Sequence, residues 1–491
     1  MRDDRLPRRP GLRAAGAGVK GCGAGVFLAL LLALPAAAQE AAYATLRGLF
    51  SEFESERRAA ARELAESRDS ALVPGLVDTL FFLPRARRAE AVSALEALTG
   101  ERAGERYHDW VELVARRPDL RPREGYADWK GELFARIDPR YREIIRGHPE
   151  GAPARIRLEE VVWGGVPPEG IPALDRPRAV PADQAGYLED GERVFGISIG
   201  GEQRAYPLRI LGWHEMVNDV VGGEPFSLSY CTLCGSGVLF GTHRQGAEPF
   251  TFGTSGLLYR SNKLMIDRQT GTLWSNLTGE PVLGQVARDP EGLPVLPLTL
   301  TTWQDWRTRN PRTTVLALDR RAAARWGYDY SPGAADNKRR GVSFPSGPGG
   351  QRASALEPGA EIFAVRLRNL AKAYPVDLVL RERVVNDRLG ENPLVVVGDS
   401  QSGAVRAYRS GGRTFAPGSR PGELVDGTGG RWTAGEDTLA MSEPRAPGGP
   451  EAFAPLERIP GHQAFWFGWF SFFPESELYR GQEPSASSRR L

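Results

Sequence analysis

The pattern of apolar residues changes its period along the chain, from helical to strand-like. Over residues 41–150 the apolar positions recur every three to four residues, which predicts amphipathic helices. The first such run consists of Leu46, Leu49, Phe50 and Phe53. Two following segments, 73–80 and 89–98, resemble the helix pair of a HEAT-type repeat. We therefore expect a small helical domain that offers a docking surface to a protein partner of unknown identity.

From residue 191 onward, apolar residues alternate with small or polar ones over short runs. Ile197 and Ile199 alternate ahead of a Gly200-Gly201 turn, which is the pattern of a hairpin. Further short runs with turn residues between them follow, and a short helix is predicted at 303–307. This part of the chain is therefore predicted to be rich in β-strands.

The β-rich part contains the same pattern twice. A constant shift of 168 positions places the segment from Val194 on the segment from Ile362. Two sequence strings recur at that shift, Ala-Tyr-Pro at 205–207 and 373–375 and Val-Asn-Asp at 217–219 and 385–387. Two tryptophans three residues apart also recur, with a shift of 163. We expect two tandem, divergent β-rich domains of roughly 150 residues each, produced by an internal duplication.

These patterns together predict an α+β chain with an N-terminal helical domain. The predicted segments are a leader at 1–38, a HEAT-like domain at 41–150, a Pro- and Gly-rich connector at 151–190, a first β-rich repeat at 191–320, a loop-rich linker at 321–360, a second β-rich repeat at 361–480 and a disordered tail at 481–491.

The predicted leader has the composition of a signal peptide. Six basic residues precede an apolar run over 24–34, and Ala36-x-Ala38 supplies small residues for cleavage. The run is shorter than the roughly 20 residues that span a bilayer. We predict a periplasmic or secreted protein, exported by the Sec route or, with a weaker match at Arg8-Arg9, by the twin-arginine route. No transmembrane helix is predicted in the mature chain.

The net charge and the distribution of basic residues limit which kinds of binding partner we expect. Loss of six basic and two acidic residues with the leader changes the net charge from +2 to −2. The chain has 58 arginines and 5 lysines, but they are scattered and balanced by acids. Because a basic face is absent from this pattern, we expect no nucleic acid partner, and we expect no nucleotide cofactor.

The candidate chemistry lies in the first repeat and is missing from the second. Cys231 and Cys234 are the only cysteines after the leader. In the aligned second repeat they are replaced by Asp399 and Ser402, and His214 is replaced as well. Since the histidine and both cysteines disappear together, we interpret them as parts of one site.

Three functions are compatible with this set of residues. The leading hypothesis is binding of one soft metal ion, copper or zinc, by Cys231, Cys234 and His214, for metal handling or electron transfer and with the fourth ligand unidentified. The second is a thiol–disulfide oxidoreductase in which one cysteine attacks and the other resolves. The third is an interaction module in which a disulfide only holds a loop. A c-type haem is not expected, because no histidine follows Cys234.

Four further residues are candidates for accessory roles. Glu215 could orient His214, and Met216 and Met265 could supply soft sulfur. Arg268 stands where the second repeat has Gly427, which suggests a polar role near the site.

Several motifs in order along the chain resemble the DUF3179 family (domain of unknown function 3179). They are Ala205-Tyr-Pro-Leu, Trp213-His-Glu-Met-Val-Asn-Asp219, Tyr230-Cys-Thr-Leu-Cys-Gly235, Gly253-Thr-Ser-Gly-Leu-Leu258 and Asp267-Arg-Gln-Thr-Gly-Thr-Leu-Trp274. The resemblance covers about residues 155–480. It implies that His214 and the cysteine pair are typical of the family, although Met216 departs from the isoleucine expected there. The family has no established activity, so the resemblance implies no catalytic residue, substrate or cofactor.

Overall fold

The computed structural model describes residues 43–147, 153–244, 246–289, 291–334, 355–443 and 454–481. Within these residues a run of helices comes first and strands with a few short helices follow, so the α+β class is confirmed. The predicted leader at 1–38 lies outside the described residues, as does the predicted tail beyond residue 481.

The N-terminal part is a group of short helices. After a helical turn over 43–48, the helices are α1 (Glu54–Ser67), α2 (Val73–Phe82), α3 (Arg88–Thr99), α4 (Tyr107–Arg116), α5 (Tyr126–Phe134) and α6 (Tyr141–Arg146). Pro74 lies in the first turn of α2, where its missing N–H costs nothing, and Gly100 ends α3 in the left-handed conformation. Local sequence therefore explains where these helices begin and end.

The first β-rich unit follows. Its elements are β1 (Val161–Trp163), β2 (Leu174–Asp175), β3 (Ala179–Pro181), β4 (Arg193–Ile199), β5 (Glu202–Pro207), α7 (Leu208–His214), β6 (Met216–Val221), β7 (Glu224–Cys231), β8 (Ser236–Gly241), β9 (Phe252–Tyr259), β10 (Asn262–Asp267), β11 (Leu273–Ser275), β12 (Pro281–Leu283), β13 (Val295–Leu296), β14 (Thr299–Thr302), α8 (Trp303–Arg309) and β15 (Thr314–Leu316). They form three five-stranded sheets, with the orders β1-β9-β10-β11-β12, β13-β8-β7-β6-β2 and β14-β4-β5-β15-β3.

The second β-rich unit forms two sheets. Its elements, after a helix α9 (Arg320–Trp326), are β16 (Glu361–Leu367), β17 (Leu370–Pro375), α10 (Val376–Glu382), β18 (Val384–Leu389), β19 (Asn392–Asp399), β20 (Ala404–Arg409), β21 (Phe415–Pro417), β22 (Glu423–Asp426), β23 (Arg431–Ala434), β24 (Thr438–Glu443), β25 (Leu456–Ile459), β26 (Gly461–Phe465), α11 (Trp466–Phe470) and β27 (Glu477–Leu478). The sheet orders are β26-β16-β17-β27 and β18-β19-β20-β25-β24-β23-β22-β21.

Strand registers in the two units match residue for residue. The β4–β5 pairing runs from Val194↔Pro207 to Ile199↔Glu202. The β16–β17 pairing runs from Ile362↔Pro375 to Leu367↔Leu370, which is the same register displaced by 168 residues. The β6–β7 and β18–β19 pairings match at the same displacement. The two units therefore place equivalent sequence positions at equivalent points of their sheets.

Two connecting segments have more regular structure than their composition suggests. The connector at 151–190 supplies β1, β2 and β3, one strand to each sheet of the first unit. In the linker at 321–360, predicted to be loop-rich, the chain first completes helix α9. The sequence Arg-Arg-Ala-Ala-Ala-Arg-Trp explains this helix, since alanine and arginine have high helix propensity. Residues 335–354 of the linker lie outside the described residues.

The helical part and the first β-rich unit share one core. Leu76 and Trp110 of the helices belong to the same buried apolar cluster as Leu257 and Leu264 of β9 and β10. The hydroxyl of Tyr141 lies 3.0 Å from the carbonyl oxygens of Val166 and Ser255. The helices therefore pack on the sheet that carries β9 and β10. Among the helices that the structure describes, none is long and apolar enough to span a bilayer.

Candidate functional site

The two cysteines lie in the turn between β7 and β8. Cys231 is the last residue of β7 and pairs with Ser236, the first residue of β8. Gly235 has a φ of 59°, a left-handed conformation that glycine adopts at low cost. Both cysteines are buried free thiols, with Cys231 only 1% exposed. The turn therefore holds two reduced sulfurs inside the protein.

A second turn, between β9 and β10, lies against the cysteine turn. Its central residues Arg260 and Ser261 both have positive φ, at 48° and 62°, although neither is a glycine. Hydrogen bonds of Arg260 hold the turn in this conformation. Its guanidinium donates to the Glu160 carboxylate at 2.7 Å and to the Ser471 carbonyl at 3.2 Å. Non-glycine residues held in this conformation often mark functional sites. Here the turn brings Asn262 and Lys263 to the sulfurs.

Lys263 is a buried cation beside the cysteines. Its Nζ donates to the carbonyl oxygens of Glu215 at 2.5 Å and Tyr230 at 3.0 Å, and to Sδ of Met216 at 3.2 Å. Three acceptors match the three N–H groups of an ammonium. The Glu215 carboxylate is 3.8 Å away. Burial lowers the pKa of Lys263, whereas the charges of Glu215 and both cysteines act to raise it.

Cys231 is the more acidic thiol of the pair. Burial acts to raise its pKa, but a hydrogen bond from Cys234 and bonds from the backbone amides of Cys234 and Lys263 outweigh burial, so the pKa of Cys231 lies below its ordinary value. Hydrogen bonds to a thiolate favour the charged form. Of the two thiols, Cys231 is therefore the one that loses its proton more easily.

Cys234 has a raised pKa, in contrast to Cys231. Its Sγ lies 2.7 Å from Oδ1 of Asn262 and 3.1 Å from the Ser236 hydroxyl. Nδ2 of Asn262 donates to the Gly468 carbonyl at 3.1 Å, so the amide oxygen faces the sulfur. Burial raises the pKa of Cys234 well above its ordinary value, and the adjacent Cys231 adds to this effect. Cys234 is therefore the less acidic thiol of the pair.

The second β-rich unit closes the site from one side. The backbone amide of Phe465 donates to the Cys234 carbonyl at 2.8 Å. A Cβ at Gly468, in α11, would lie 2.5 Å from Cβ of Cys234. A Cβ at Gly235 would likewise lie 2.8 Å from the Phe465 ring. The cysteine turn thus fits against α11 without room for additional atoms.

A cavity of about 170 Å³ opens on the other side of the turn. Cys231, Lys263 and Glu215 line it, together with Thr232, Thr254 and Ser255. Its apolar wall consists of Val166, Ile171, Leu233, Leu257, Leu258 and Leu264. Cys234 is absent from the lining. Of the two cysteines, only Cys231 therefore borders the cavity.

His214 has other neighbours. Its Nδ1 lies 2.7 Å from the Pro172 carbonyl and its Nε2 lies 2.5 Å from the Tyr330 hydroxyl. Within the described part of the chain, no group of three or more His, Cys, Asp and Glu side chains is placed to hold a metal ion. The structure therefore does not assemble His214 and the two cysteines as a ligand set, and binding of copper or zinc stays a prediction.

The four accessory candidates separate into two groups. Glu215 and Met216 contact Lys263 and so belong to the site; the Glu215 carboxylate also accepts from Thr232 at 2.8 Å. Met265 packs in an apolar cluster with Met216 and aromatic side chains. Arg268 donates to carboxylates of the connector, Glu169 at 2.8 Å and Asp175 at 2.8 Å. These contacts give Met265 a packing role and Arg268 a role in fastening the connector.

Two residues of the site, Lys263 and Asn262, are absent from the sequence predictions. One signal was available for Lys263, which is one of 5 lysines in a chain with 58 arginines. A lysine kept against that bias suggests a position that needs a compact cation with an adjustable pKa. Counting back from Asp426, the counterpart of Asp267, the second unit has Gly422 in the place of Lys263.

Comparison with protein families places this chain in a family. The family model described as "Protein of unknown function (DUF3179)" matches residues 168–476, more than half of the chain. The protein therefore belongs to the DUF3179 family, and the resemblance expected from the motifs is confirmed. Comparisons with curated proteins and with solved structures gave no match.

Proposed function

We propose that this protein is a thiol-dependent oxidoreductase whose redox centre is the Cys231–Cys234 pair. The observation that carries the proposal is the division of roles between the two sulfurs. Cys231 lines the cavity together with Lys263 and has a lowered pKa, whereas Cys234 is absent from the lining and has a raised pKa. An attacking thiolate with a resolving thiol three residues later is the arrangement that dithiol chemistry needs.

The proposed reaction oxidises the pair by two electrons. The Cys231 thiolate attacks an oxidised substrate and forms a covalent bond to it, while the leaving group departs and takes a proton. Sγ of Cys234 then attacks Sγ of Cys231, displaces the bound atom and forms the disulfide. An external dithiol reduces this disulfide by thiol–disulfide exchange and restores both thiols.

Two matched serine variants test the proposal. Limited alkylation with iodoacetamide at neutral pH should modify Cys231 before Cys234 in the wild-type protein. Cys234→Ser should keep the fast-reacting thiol, and Cys231→Ser should lose it. In buffers of oxidised and reduced dithiothreitol, mass spectrometry should show one reversible two-hydrogen loss that neither variant undergoes. Equal labelling of both cysteines, or a pair that cannot be oxidised reversibly, would contradict the proposal.

The architecture supports an internal duplication of the β-rich unit. Asn218 bonds to the backbone N–H and carbonyl of Phe252, and Asn386 does the same with Phe415. Arg193 forms an ion pair at 2.8 Å with Glu361, the residue at its own equivalent position 168 residues later. Contact between equivalent positions is typical of a twofold relation. We further propose a HEAT-like helical part and export to the periplasm or exterior, where dithiol chemistry is permitted.

A further inference from the structure

The size of the cavity restricts what can reach Cys231. The sulfur belongs to a residue that is 1% exposed and lines a space of about 170 Å³. A cavity of about 150 Å³ holds benzene. A disulfide on a folded protein, or one between two charged peptides, is far larger than this space. The space therefore fits a small molecule better than either of these disulfides.

The composition of the wall restricts its polarity. Six aliphatic residues line the cavity, and its polar lining includes Cys231, Lys263 and Glu215. Apolar surface favours an apolar substituent by about 25 cal/mol per Å² buried. The matching ligand has a hydrocarbon body and one oxidised, reactive end.

We propose that the substrate is a small alkyl hydroperoxide, which the dithiol reduces to the alcohol. This inference rests on the proposed function and assigns its substrate class. A hydroperoxide places its O–O bond at the sulfur while its alkyl group lies against the aliphatic wall. It also needs a proton donor for its leaving alkoxide, and Lys263 lines the same cavity as Cys231.

The atoms and electrons balance in two steps. The Cys231 thiolate attacks the outer peroxide oxygen, the S–O bond forms as the O–O bond breaks, and the alkoxide takes a proton from Lys263 to leave as an alcohol. Sγ of Cys234 then attacks the sulfenic acid on Cys231, and hydroxide departs with the Cys234 proton as water. The dithiol loses two electrons, the hydroperoxide gains them, and an external dithiol restores the pair.

The test compares three oxidants on the purified, reduced protein. Disulfide formation is followed by alkylation and mass spectrometry with tert-butyl hydroperoxide, hydrogen peroxide and glutathione disulfide. Each rate is divided by the rate at which free dithiothreitol reacts with the same oxidant, which corrects for differences in intrinsic reactivity between the oxidants. We expect tert-butyl hydroperoxide to exceed glutathione disulfide by at least about tenfold and to exceed hydrogen peroxide. In Cys234→Ser, dimedone should trap a sulfenic acid at Cys231.

Variants that narrow the cavity test whether the oxidant reaches Cys231 through it. Val166 is partly exposed and lines the cavity. Val166→Trp should slow the reaction with tert-butyl hydroperoxide about tenfold and that with hydrogen peroxide less than about twofold, because the small oxidant still passes. Val166→Ala should slow neither. Ile171→Phe repeats the test in case Val166→Trp lowers the unfolding temperature.

The outcomes separate the two proposals. A preference for glutathione disulfide, a normalised preference for hydrogen peroxide, or equal effects of Val166→Trp on both peroxides would overturn the assignment of an apolar hydroperoxide. Reversible oxidation in dithiothreitol buffers would still support the redox centre in those cases. If no oxidant and no dithiothreitol buffer produced the disulfide, both proposals would be wrong.

Discussion

At the scale of single residues, Lys263 acts on the chemistry of the sulfurs through both its side chain and its backbone. Its ammonium and its backbone amide both favour the thiolate of Cys231, while Asn262 keeps Cys234 as a thiol. The Glu215 carboxylate opposes the thiolate and supports the ammonium. Proton positions in this group are therefore set by a balance of neighbouring charges within a buried space, where such interactions are stronger than in water.

Removal of the cation should make Cys231 less acidic. In Lys263→Met the thiolate loses a favourable charge, so its pKa rises and the pH midpoint of iodoacetamide labelling moves upward. At a fixed pH below that midpoint, the labelling rate should fall about threefold to tenfold, because the thiolate fraction falls.

Lys263→Arg is the matched control, since it keeps a positive charge at the same position. Its midpoint should stay closer to that of the wild-type protein. Labelling rates are measured from pH 5 to pH 10 on protein that denaturant unfolding shows to be folded. If the pH profile of labelling for Lys263→Met coincided with the wild-type profile, Lys263 would not influence the pKa of Cys231.

At the scale of elements, the cysteine turn has the same backbone conformation as its counterpart in the second unit but different neighbouring side chains. Gly235 and its counterpart Gly403 both have positive φ, at 59° and 74°. A Cβ on Gly235 would meet the Phe465 ring, whereas a Cβ on Gly403 would meet no atom within 4 Å. The backbone of the turn is therefore common to both units, but only the first turn is covered by an aromatic ring.

This difference predicts unequal costs for the same substitution. Gly403→Ala should lower the free energy of unfolding by about 1–2 kcal/mol, the cost of a left-handed alanine. Gly235→Ala should lower it by about 2–4 kcal/mol, because displacement of Phe465 adds an overpacking term. Urea unfolding of both variants measures the difference. Equal losses would mean that the aromatic contact does not stabilise the turn.

At the scale of the whole molecule, each β-rich unit places a helix against the other unit. The helix from the second unit contacts the cysteine turn, and the helix from the first unit contacts the equivalent turn of the second. Helix α11 of the second unit lies against Cys234, with Gly468 at the contact. In the opposite direction, Arg309 of α8 lies 3.5 Å from Asp399, which stands in the place of Cys231. An ion pair between the units thus occupies the position that a thiol has in the first unit.

The close approach of α11 predicts a long-range effect on the site. Gly468→Ala puts a methyl group 2.5 Å from Cβ of Cys234, so helix and turn must separate. We expect a loss of about 1–3 kcal/mol in the free energy of unfolding. We also expect faster labelling of Cys234, since its bond to Asn262 depends on Gly468.

Gly359→Ala is the control for this prediction. Gly359 lies close in sequence to the strand that leads the second unit, and a Cβ there would meet no atom within 4 Å. This variant should keep wild-type stability within about 0.5 kcal/mol and wild-type labelling. Wild-type labelling of Cys234 in Gly468→Ala would show that the second unit does not protect the resolving thiol.

Much of the fold could be predicted because its signals are local. The α+β order, the short helix that begins at Trp303 and the turn that contains both cysteines each depend on residues within a few positions of one another. The helix at Arg320–Trp326 was missed, since Gly- and Pro-rich neighbours outweighed its own helix propensity. The partners of His214 were missed for a different reason, because Pro172 and Tyr330 are far from it along the chain.

The sequence by itself determined the strand pattern, the repeated positions 168 residues apart, the membership of a family and the presence of two cysteines in one turn. Only the tertiary structure decided which side chains surround them. Lys263 and Asn262 reach the sulfurs through a strained turn about 30 residues later, and Gly468 reaches them from the other unit. Periodicity reports contacts between near neighbours in sequence. The environment of a buried thiol depends instead on contacts between distant segments, which form only when the sheets and helices pack together.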